Sequence, residues 1–554
     1  MQAERMLERH PKFARIWAAI GILGVVATAS WSLASSQAGA QSQPLDFLIT
    51  GGILVDGTGA EARSADLGIR GDRIEFIGDA AKAKVRAKTE VHVPGLIVAP
   101  GFIDPHTHSL DYLNNAAHPG EYHPDRQNLN YLMQGVTTVV TGNDGGGPVN
   151  IAATLDKLQQ QGIGTNVTLL VGFGTVRQQI LGRADVAPTP EQLDKMRALV
   201  RSAMQEGAFG LSSGLFYVPQ NYAKTEEVIE LAKIAGEFGG YYDTHMRDED
   251  SYSIGLLGSI DETLRIGREG HLPAHISHIK ALGPAVWGKS ADAIERVNAA
   301  RAAGQSVTAD EYPYTGSGSS LPASLLPPWA QEGNRDQIAA RLNDPAQRDK
   351  ILDGIRANLE RRGGADALLF PSERMTELFG KTLAQVAAAR NTPAAETALA
   401  IFQESLKNNT WGELGVISFN MSPADVERFM QQPWLMTGSD GSPGHPRLFG
   451  TFPRKFHDYV FEKKLISLPF AVRSSSALAA EMLGLKDRGL LKEGFAADVI
   501  ALDPGDFADR ATYEHPQVLA SGVRLVFVNG VLTVKDGTYT GALAGKALRH
   551  KPPN

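Results

Sequence analysis

Short apolar or β-branched runs alternate with helical stretches through the middle of this chain, and that alternation restricts its architecture more than any other feature. The runs are Gly101–Asp104, Val136–Thr141, Val167–Gly172, Phe209–Ser212, Tyr241–Thr244, Ala274–Ser277, Val307–Ala309 and Trp434–Thr437. Segments such as Pro190–Gly207 and Thr225–Phe238 lie between them, and Thr189 before Pro190-Glu191-Gln192 has the form of a helix cap. Repeated strand–helix units predict a parallel sheet or barrel, and eight strands fit a (β/α)₈ TIM barrel. The barrel is expected over residues 99–480. The rhythm breaks between strands seven and eight, where about 327–411 opens on Pro327-Pro328-Trp329 and carries several charged helices. This reads as an insertion before the last barrel strand, of the kind that shapes a substrate pocket.

The two ends have a different texture. Leu45–Thr50, Ile53–Val55, Asp66–Ile69, Arg73–Ile77 and Val91–Val93 are short strands separated by glycines. Ala497–Leu502, Leu525–Val528 and Val531–Val534 follow the same pattern, with Asn529-Gly530 as a hairpin turn. Residues 41–98 and 481–554 are therefore expected to pair into one small β-sandwich. Ahead of them, Arg5, Arg9, Lys12 and Arg15 precede an apolar run from Ile16 to about Ala29, and Ala38-Gly39-Ala40 offers small residues for cleavage. Residues 1–40 read as a signal peptide, with an uncleaved membrane anchor as the alternative. The body is then exported, to the periplasm or the medium, with no membrane span in the mature form.

Composition narrows the chemistry. With no cysteine in 554 residues, disulfides, thiol nucleophiles and iron–sulfur clusters are excluded. A formal net charge of -7 gives no basic stripe for nucleic acid. A metal, if one is used, must be held by His, Asp, Glu or a modified Lys.

Polar residues fall where a barrel places its active site, at the C-terminal ends of strands. Strand one ends in His106-Thr107-His108, and residues two apart face the same side of a strand. Alone, the pair would suit a surface strand equally well. Strand five ends in Asp243-Thr244-His245 and strand six in His275-Ile276-Ser277-His278, one strand–helix–strand step apart. Each of these could be a satisfied core histidine. Together they put four imidazoles, His106, His108, His245 and His278, at one end of one barrel, and neutral imidazole is a ligand for zinc and similar ions. Strand eight ends in Gly438-Ser439-Asp440-Gly441, where a carboxylate can act as general base and then general acid. Strand two ends in Asn143-Asp144-Gly145, where Asp144 is either a metal ligand or a turn residue.

Gly-Phe-Ile-Asp-Pro-His-Thr-His, Asp-Thr-His-Met-Arg, Ile-Ser-His-Ile-Lys, Glu-Tyr-Pro-Tyr and Gly-Ser-Asp-Gly resemble motifs of the amidohydrolase superfamily, and most closely of its D-aminoacylase (N-acyl-D-amino-acid deacylase) branch. His445–Arg454 and Leu485–Gly494 extend the likeness over nearly all the chain after residue 40. The resemblance implies dependence on zinc, as one or two ions, or on another divalent metal. It also implies hydrolysis of a small N-acyl-D-amino acid. It assigns His106 and His108 to an outer metal site, His245 and His278 to a tighter one, and Asp440 to acid–base catalysis. Tyr217, Lys280, Tyr314, Ser319 and Arg447 fall in segments that contact substrate in the family. Two positions depart from the pattern: Asp144 stands where a bridging Cys is usual, and Phe173 where His is often found. A carboxylate can bridge two ions but is a harder ligand than thiolate. Hydrolysis of cyclic amides is disfavoured, because strand four ends Gly210-Leu211-Ser212-Ser213-Gly214 without the lysine such enzymes carboxylate. Other linear amides, and a metal-binding homologue without catalysis, are the remaining alternatives.

Overall fold

The computed structural model describes residues 43–113, 124–372, 374–375 and 377–552. The signal-peptide expectation for residues 1–40 lies outside them. Among the described residues no helix is long and apolar enough to cross a membrane.

Eight parallel strands form the barrel: Phe102–Thr107, Val136–Thr141, Asn166–Leu169 continued by Val171–Gly172, Gly210–Gly214, Tyr241–His245, Ala274–Ile276, Val307–Glu311 and Leu435–Thr437. Each pairs with the next, and a parallel bridge from Thr107 to Gly441 closes the ring. The third strand breaks at Leu170, so its first half pairs with strand two and its second half with strand four. Strand one runs further than its apolar run suggested, which brings His106 inside the paired region.

The helix at Pro190–Gln205 shows why these segments are helical. Thr189 caps it by accepting from the Gln192 backbone N–H, while the Gln192 side chain accepts from the Thr189 N–H. Two otherwise orphaned donors are satisfied reciprocally, which is worth about 1 kcal/mol. Met196, Val200, Ala203 and Met204 form the helix's buried stripe. They join the same core as Val167, Leu169 and Leu211 of the barrel strands.

The chain ends build two further sheets. Leu45–Thr50, Asp66–Arg70, Arg73–Gly78 and Ala87–His92 form one. In the other, Ile97–Pro100 pairs antiparallel with Val499–Leu502, so both ends of the chain share it. Side chains alternate across Val499–Leu502. Val499 and Ala501 pack between the two sheets, while Ile500 and Leu502 belong to the barrel core. The sandwich is thus fused to the barrel through one two-faced strand. Asn529 and Gly530 take positive φ of 50° and 79°, as a tight hairpin turn requires.

The insertion has its own core, including Leu321, Ile355, Phe370, Phe402 and Val416. Its irregular part begins earlier and ends later than the charged helices indicated. Gly316–Ser320 and Leu368–Leu369 both pair antiparallel with Gly415–Phe419. The run Gly316-Ser317-Gly318-Ser319-Ser320 has no β-branched or aromatic residue, so nothing in its composition announces a strand.

Candidate metal centre and substrate pocket

Strand one carries His106 and His108 toward the mouth of the barrel, while the Thr107 hydroxyl donates to the Val140 carbonyl at 2.7 Å. Asp104 accepts the backbone N–H groups of His106 and Ser439, both at 3.1 Å, and the Asp440 N–H donates to the His106 carbonyl at 2.9 Å. The ends of strands one and eight are locked side by side. As a result Asp440 Oδ1 lies 3.1 Å from His108 Nε2 and 3.6 Å from His106 Nε2.

Asp144 reaches the same point from strand two, with Oδ1 at 3.5 Å from His106 Nε2 and Oδ2 at 3.7 Å from His108 Nε2. It also faces the second histidine pair, with Oδ1 at 3.7 Å from His278 Nε2. His278 Nε2 in turn lies 2.9 Å from His245 Nδ1. Two donor sets result. His106, His108, Asp144 and Asp440 form one; Asp144, His245 and His278 form the other; within each, the ligand atoms lie within 4.8 Å of one another. Asp144 is common to both, the position expected of a bridge.

The backbone pays a cost for this arrangement. Asp144, His278 and Asp440 all hold positive φ, at 57°, 34° and 47°. Non-glycine residues seldom adopt that conformation, and it costs on the order of 1 kcal/mol each. Strain of this kind concentrates at functional sites.

Burial wins at two of the imidazoles, His106 and His245, whereas at His108 and His278 the neighbouring carboxylates outweigh burial and raise the ring, His278 to about 10. Burial pushes His106 down to about 4 and His245 down to about 3 against the pull of nearby carboxylates, so both are neutral at pH 7 and can act as ligands. Burial alone would raise the Asp440 carboxyl, but Arg447 and the surrounding imidazoles outweigh it and hold that group well below the usual carboxylate range. The Arg447 NH2 forms an ion pair with Asp440 Oδ2 at 2.8 Å while donating to Ser442 Oγ at 3.2 Å, which leaves Asp440 Oδ1 facing the histidines.

Two cavities open beside the cluster. The inner one, about 20 Å³, is lined by Phe216, Tyr217, Tyr252, Lys280, Arg362 and Asp440 among others. The outer one, about 380 Å³, meets His108, Asp144, Ser319, Asp440 and Arg447, and is lined by Gly412 and Leu414 to Ile417 from the insertion. Tyr217 and Ser319 line both. The Tyr217 hydroxyl lies 3.4 Å from His245 Nδ1. Lys280 lines the inner cavity but is engaged by protein, its Nζ donating to Glu249 Oε1 at 2.7 Å and lying 2.6 Å from His278 Nδ1.

Tyr314, read from the sequence as a substrate contact, is not among the residues lining either cavity. Its hydroxyl donates to Asp509 Oδ2 at 3.4 Å and Arg454 stacks on its ring at 4.6 Å. Tyr312 takes the place beside the site, its ring 4.5 Å below the Arg447 guanidinium. Phe173 is buried in the apolar core and also lines neither cavity.

Sequence reasoning passed over two carboxylates that hold the histidines. Glu249 Oε1 is 3.2 Å from His278 Nδ1 and its Oε2 is 3.7 Å from His245 Nε2. Asp310, at the end of strand seven, accepts the His278 backbone N–H at 3.1 Å and lies 2.8 Å from His275 Nε2 and 3.8 Å from His106 Nδ1. Outer carboxylates of this sort fix the tautomer and orientation of ligand histidines. Their position at or just past strand ends was the available signal.

Known proteins share this architecture. The profile of the amidohydrolase family matches residues 92–534. A D-aminoacylase of Alcaligenes xylosoxydans xylosoxydans is 36% identical over 537 residues, covering 92% of this chain and 98% of the relative. A solved D-aminoacylase structure superposes with a TM-score of 0.76 at 32% identity, covering 91% of this chain and all (100%) of that one. An N-acyl-D-glutamate deacylase from Bordetella bronchiseptica was solved with zinc and a phosphonate inhibitor that mimics the tetrahedral intermediate. It gives a TM-score of 0.75 at 31% identity over 92% of this chain and 100% of that one. With four inward histidines, a shared carboxylate and a strand-eight aspartate on a closed barrel, this chain belongs to the amidohydrolase family.

Proposed function

We propose that the protein hydrolyses the amide bond of small N-acyl-D-amino acids, releasing a carboxylate and a free D-amino acid. The observation that carries this reading is Asp440. One of its oxygens is held by Arg447 and the other faces two histidines and Asp144, at the junction of both cavities.

The donor set fits a divalent ion. His106 is fully buried and neither ring nitrogen makes a hydrogen bond, and Asp144 Oδ1 is likewise buried without a hydrogen-bond partner. Buried polar atoms are rarely left unmatched, and a cation between His106 Nε2 and Asp144 Oδ1, 3.5 Å apart, matches two of the three. His106, His108, Asp144 and Asp440 would hold one ion, and Asp144, His245 and His278 a second. Zinc is the ion we assign, as in the Bordetella relative. Such an ion supplies Lewis acidity, lowering the pKa of a water and polarising a carbonyl oxygen.

The protein's own groups move the proton. Asp440 Oδ1 takes it from the attacking water, the hydroxide adds to the acyl carbon, and Asp440 returns the proton to the amide nitrogen as the C–N bond breaks. Arg447 keeps Asp440 ionised at rest, so it begins as a base. Arg447 Nε and NH1 are buried without hydrogen-bond partners, and they suit the substrate α-carboxylate. Preference for the D configuration is supported by what the relatives are named for. The reading is tested with paired N-acetyl-D- and N-acetyl-L-amino acids. Turnover confined to the D series and abolished by chelation is expected; turnover of the L series alone would refute it.

We also infer, from the basic and apolar pattern of residues 1–40, that the chain is exported. N-terminal sequencing of protein recovered from the periplasm should begin near residue 41, and an intact N-terminus in the cytoplasm would refute export.

A further inference from the structure

Asp440 holds a strained backbone conformation, φ 47°, just past a strand only three residues long, Leu435–Thr437. Strain of that kind persists only where the surroundings over-determine it. Strand one supplies part of the restraint, since Asp104 accepts the Ser439 N–H and the His106 carbonyl accepts the Asp440 N–H. The rest comes from one helical segment. Helix Arg447–Arg454 continues into a wider π-helical stretch, Lys455–Glu462, just after Pro453 has removed a backbone donor. Arg447, the first residue of the helix, pairs with Asp440 Oδ2. About two turns further on, Lys455 reaches the last residue of strand eight. Its Nζ donates to Thr437 Oγ1 at 2.7 Å and to Ser474 Oγ at 2.8 Å.

Lys455 is 2% exposed, a costly place for an ammonium group. Its partners are arranged to accept from it. The Thr437 hydroxyl lies 2.8 Å from Ser475 Oγ, and the Ser474 hydroxyl donates to the Ala471 carbonyl at 3.1 Å, so both oxygens can take an Nζ hydrogen. Ser475 is itself tied to strand one, its carbonyl accepting the Ile103 N–H at 2.9 Å. The nearby counter-charge is Glu311 at the end of strand seven, buried and with neither carboxylate oxygen hydrogen-bonded. The Glu311 backbone carbonyl accepts the Gly438 N–H at 3.2 Å, so strands seven and eight and the helix meet here. Burial pushes Lys455 down to about 7 against the pull of Glu311, and pushes Glu311 well above the usual carboxylate range. Charged or neutral, Nζ keeps two N–H bonds for the two hydroxyls.

We propose that Lys455 is a positioning residue for the reaction: it fixes the end of strand eight through Thr437, so that one helix holds Asp440 at two points, by Arg447 on its carboxylate and by Lys455 on the strand that carries it. The inference rests on the role given to Asp440 in the deacylase reading above. Lys455 and Thr437 line neither cavity, so they act on the placement of Asp440 Oδ1 and not on the substrate.

The test measures kcat, KM, bound metal and melting temperature, on whichever of N-acetyl-D-methionine and N-acetyl-D-glutamate the metal-loaded wild type turns over faster. Thr437→Val keeps the shape of the side chain and removes the hydroxyl; Thr437→Ser keeps the hydroxyl. A misplacement of about 1 Å can cost on the order of 100-fold in rate. Lys455→Met and Thr437→Val should therefore lower kcat roughly 10–100-fold, with KM changed less than about threefold and metal retained. Thr437→Ser should recover most of the rate. Glu311→Leu combined with Lys455→Met removes both buried charges, and should regain melting temperature over Lys455→Met without regaining kcat. Wild-type kcat in folded, metal-loaded Thr437→Val overturns the inference. So does a double variant in which kcat returns together with melting temperature, since Lys455 would then serve stability alone. Both results leave the deacylase reading standing. Absence of wild-type turnover on both substrates overturns that reading and this inference with it.

Discussion

Replacement of Asp440 by Asn separates the chemical role of this residue from its structural ones. Asn tolerates the left-handed backbone that position 440 adopts at φ 47°, so the turn after strand eight should persist. Arg447 NH2 pairs with Oδ2 at 2.8 Å, so the substitution leaves a buried guanidinium without its counter-charge, which costs about 3–5 kcal/mol of stability. Three of the four donors of the outer set, His106, His108 and Asp144, are untouched, so metal content should change little. What Asn cannot do is take a proton from water and return it to nitrogen. General acid–base catalysis contributes about 10²–10⁴ in rate, or roughly 3–5 kcal/mol of barrier. Asp440→Asn should therefore lower kcat at least about 100-fold on an N-acyl-D-amino acid, with metal content near wild type by elemental analysis and a cooperative melt by circular dichroism. A folded, metal-replete Asp440→Asn protein that kept more than about a tenth of wild-type kcat would refute the assignment.

Other changes probe the surroundings. Asp144→Asn weakens both donor sets at once, so bound metal should fall below wild type in equilibrium dialysis; unchanged stoichiometry would show that Asp144 is not shared. Glu249→Gln removes the charge that faces His278 and Lys280, and metal affinity should drop about 10–100-fold, as for other outer-sphere carboxylates; competition with a chromogenic chelator measures it. Phe402→Ala opens a hole in the insertion's own core and should cost about 3–5 kcal/mol, seen as earlier proteolysis of residues 321–416 than of the barrel; simultaneous cleavage of both would show that the insertion does not unfold separately. Removing the metal with a chelator should lower the melting temperature, since His106 and Asp144 then keep unmatched buried atoms.

Much of this site was legible because barrel geometry converts sequence position into spatial position. His106 and His108 share a face because they are two apart on a strand. His245 and His278 are one strand–helix–strand step apart and land on adjacent strands, which pair in parallel. The legibility fails where the regular strand ends. In Glu311-Tyr312-Pro313-Tyr314 the alternation cannot be carried past Pro313, and Tyr312 rather than Tyr314 meets Arg447. In Asp248-Glu249-Asp250 three acids sit side by side in a loop, and only the folded backbone selects Glu249 to face the histidines. Arg362 was invisible for a related reason. It follows an insertion helix whose surface is rich in arginine, and its burial depends on packing against Phe216 and Tyr252, far away in the chain.

The central claim is that the two donor sets around Asp144 support hydrolysis of N-acyl-D-amino acids. It is tested most directly by following one preparation through chelation and reconstitution while recording bound metal and turnover of an N-acetyl-D-amino acid and its L enantiomer. The account predicts that D-substrate hydrolysis disappears with the metal and returns with added zinc, and that the L enantiomer is left intact throughout. Hydrolysis that persists in metal-free protein, or that returns with zinc for the L enantiomer alone, would contradict it.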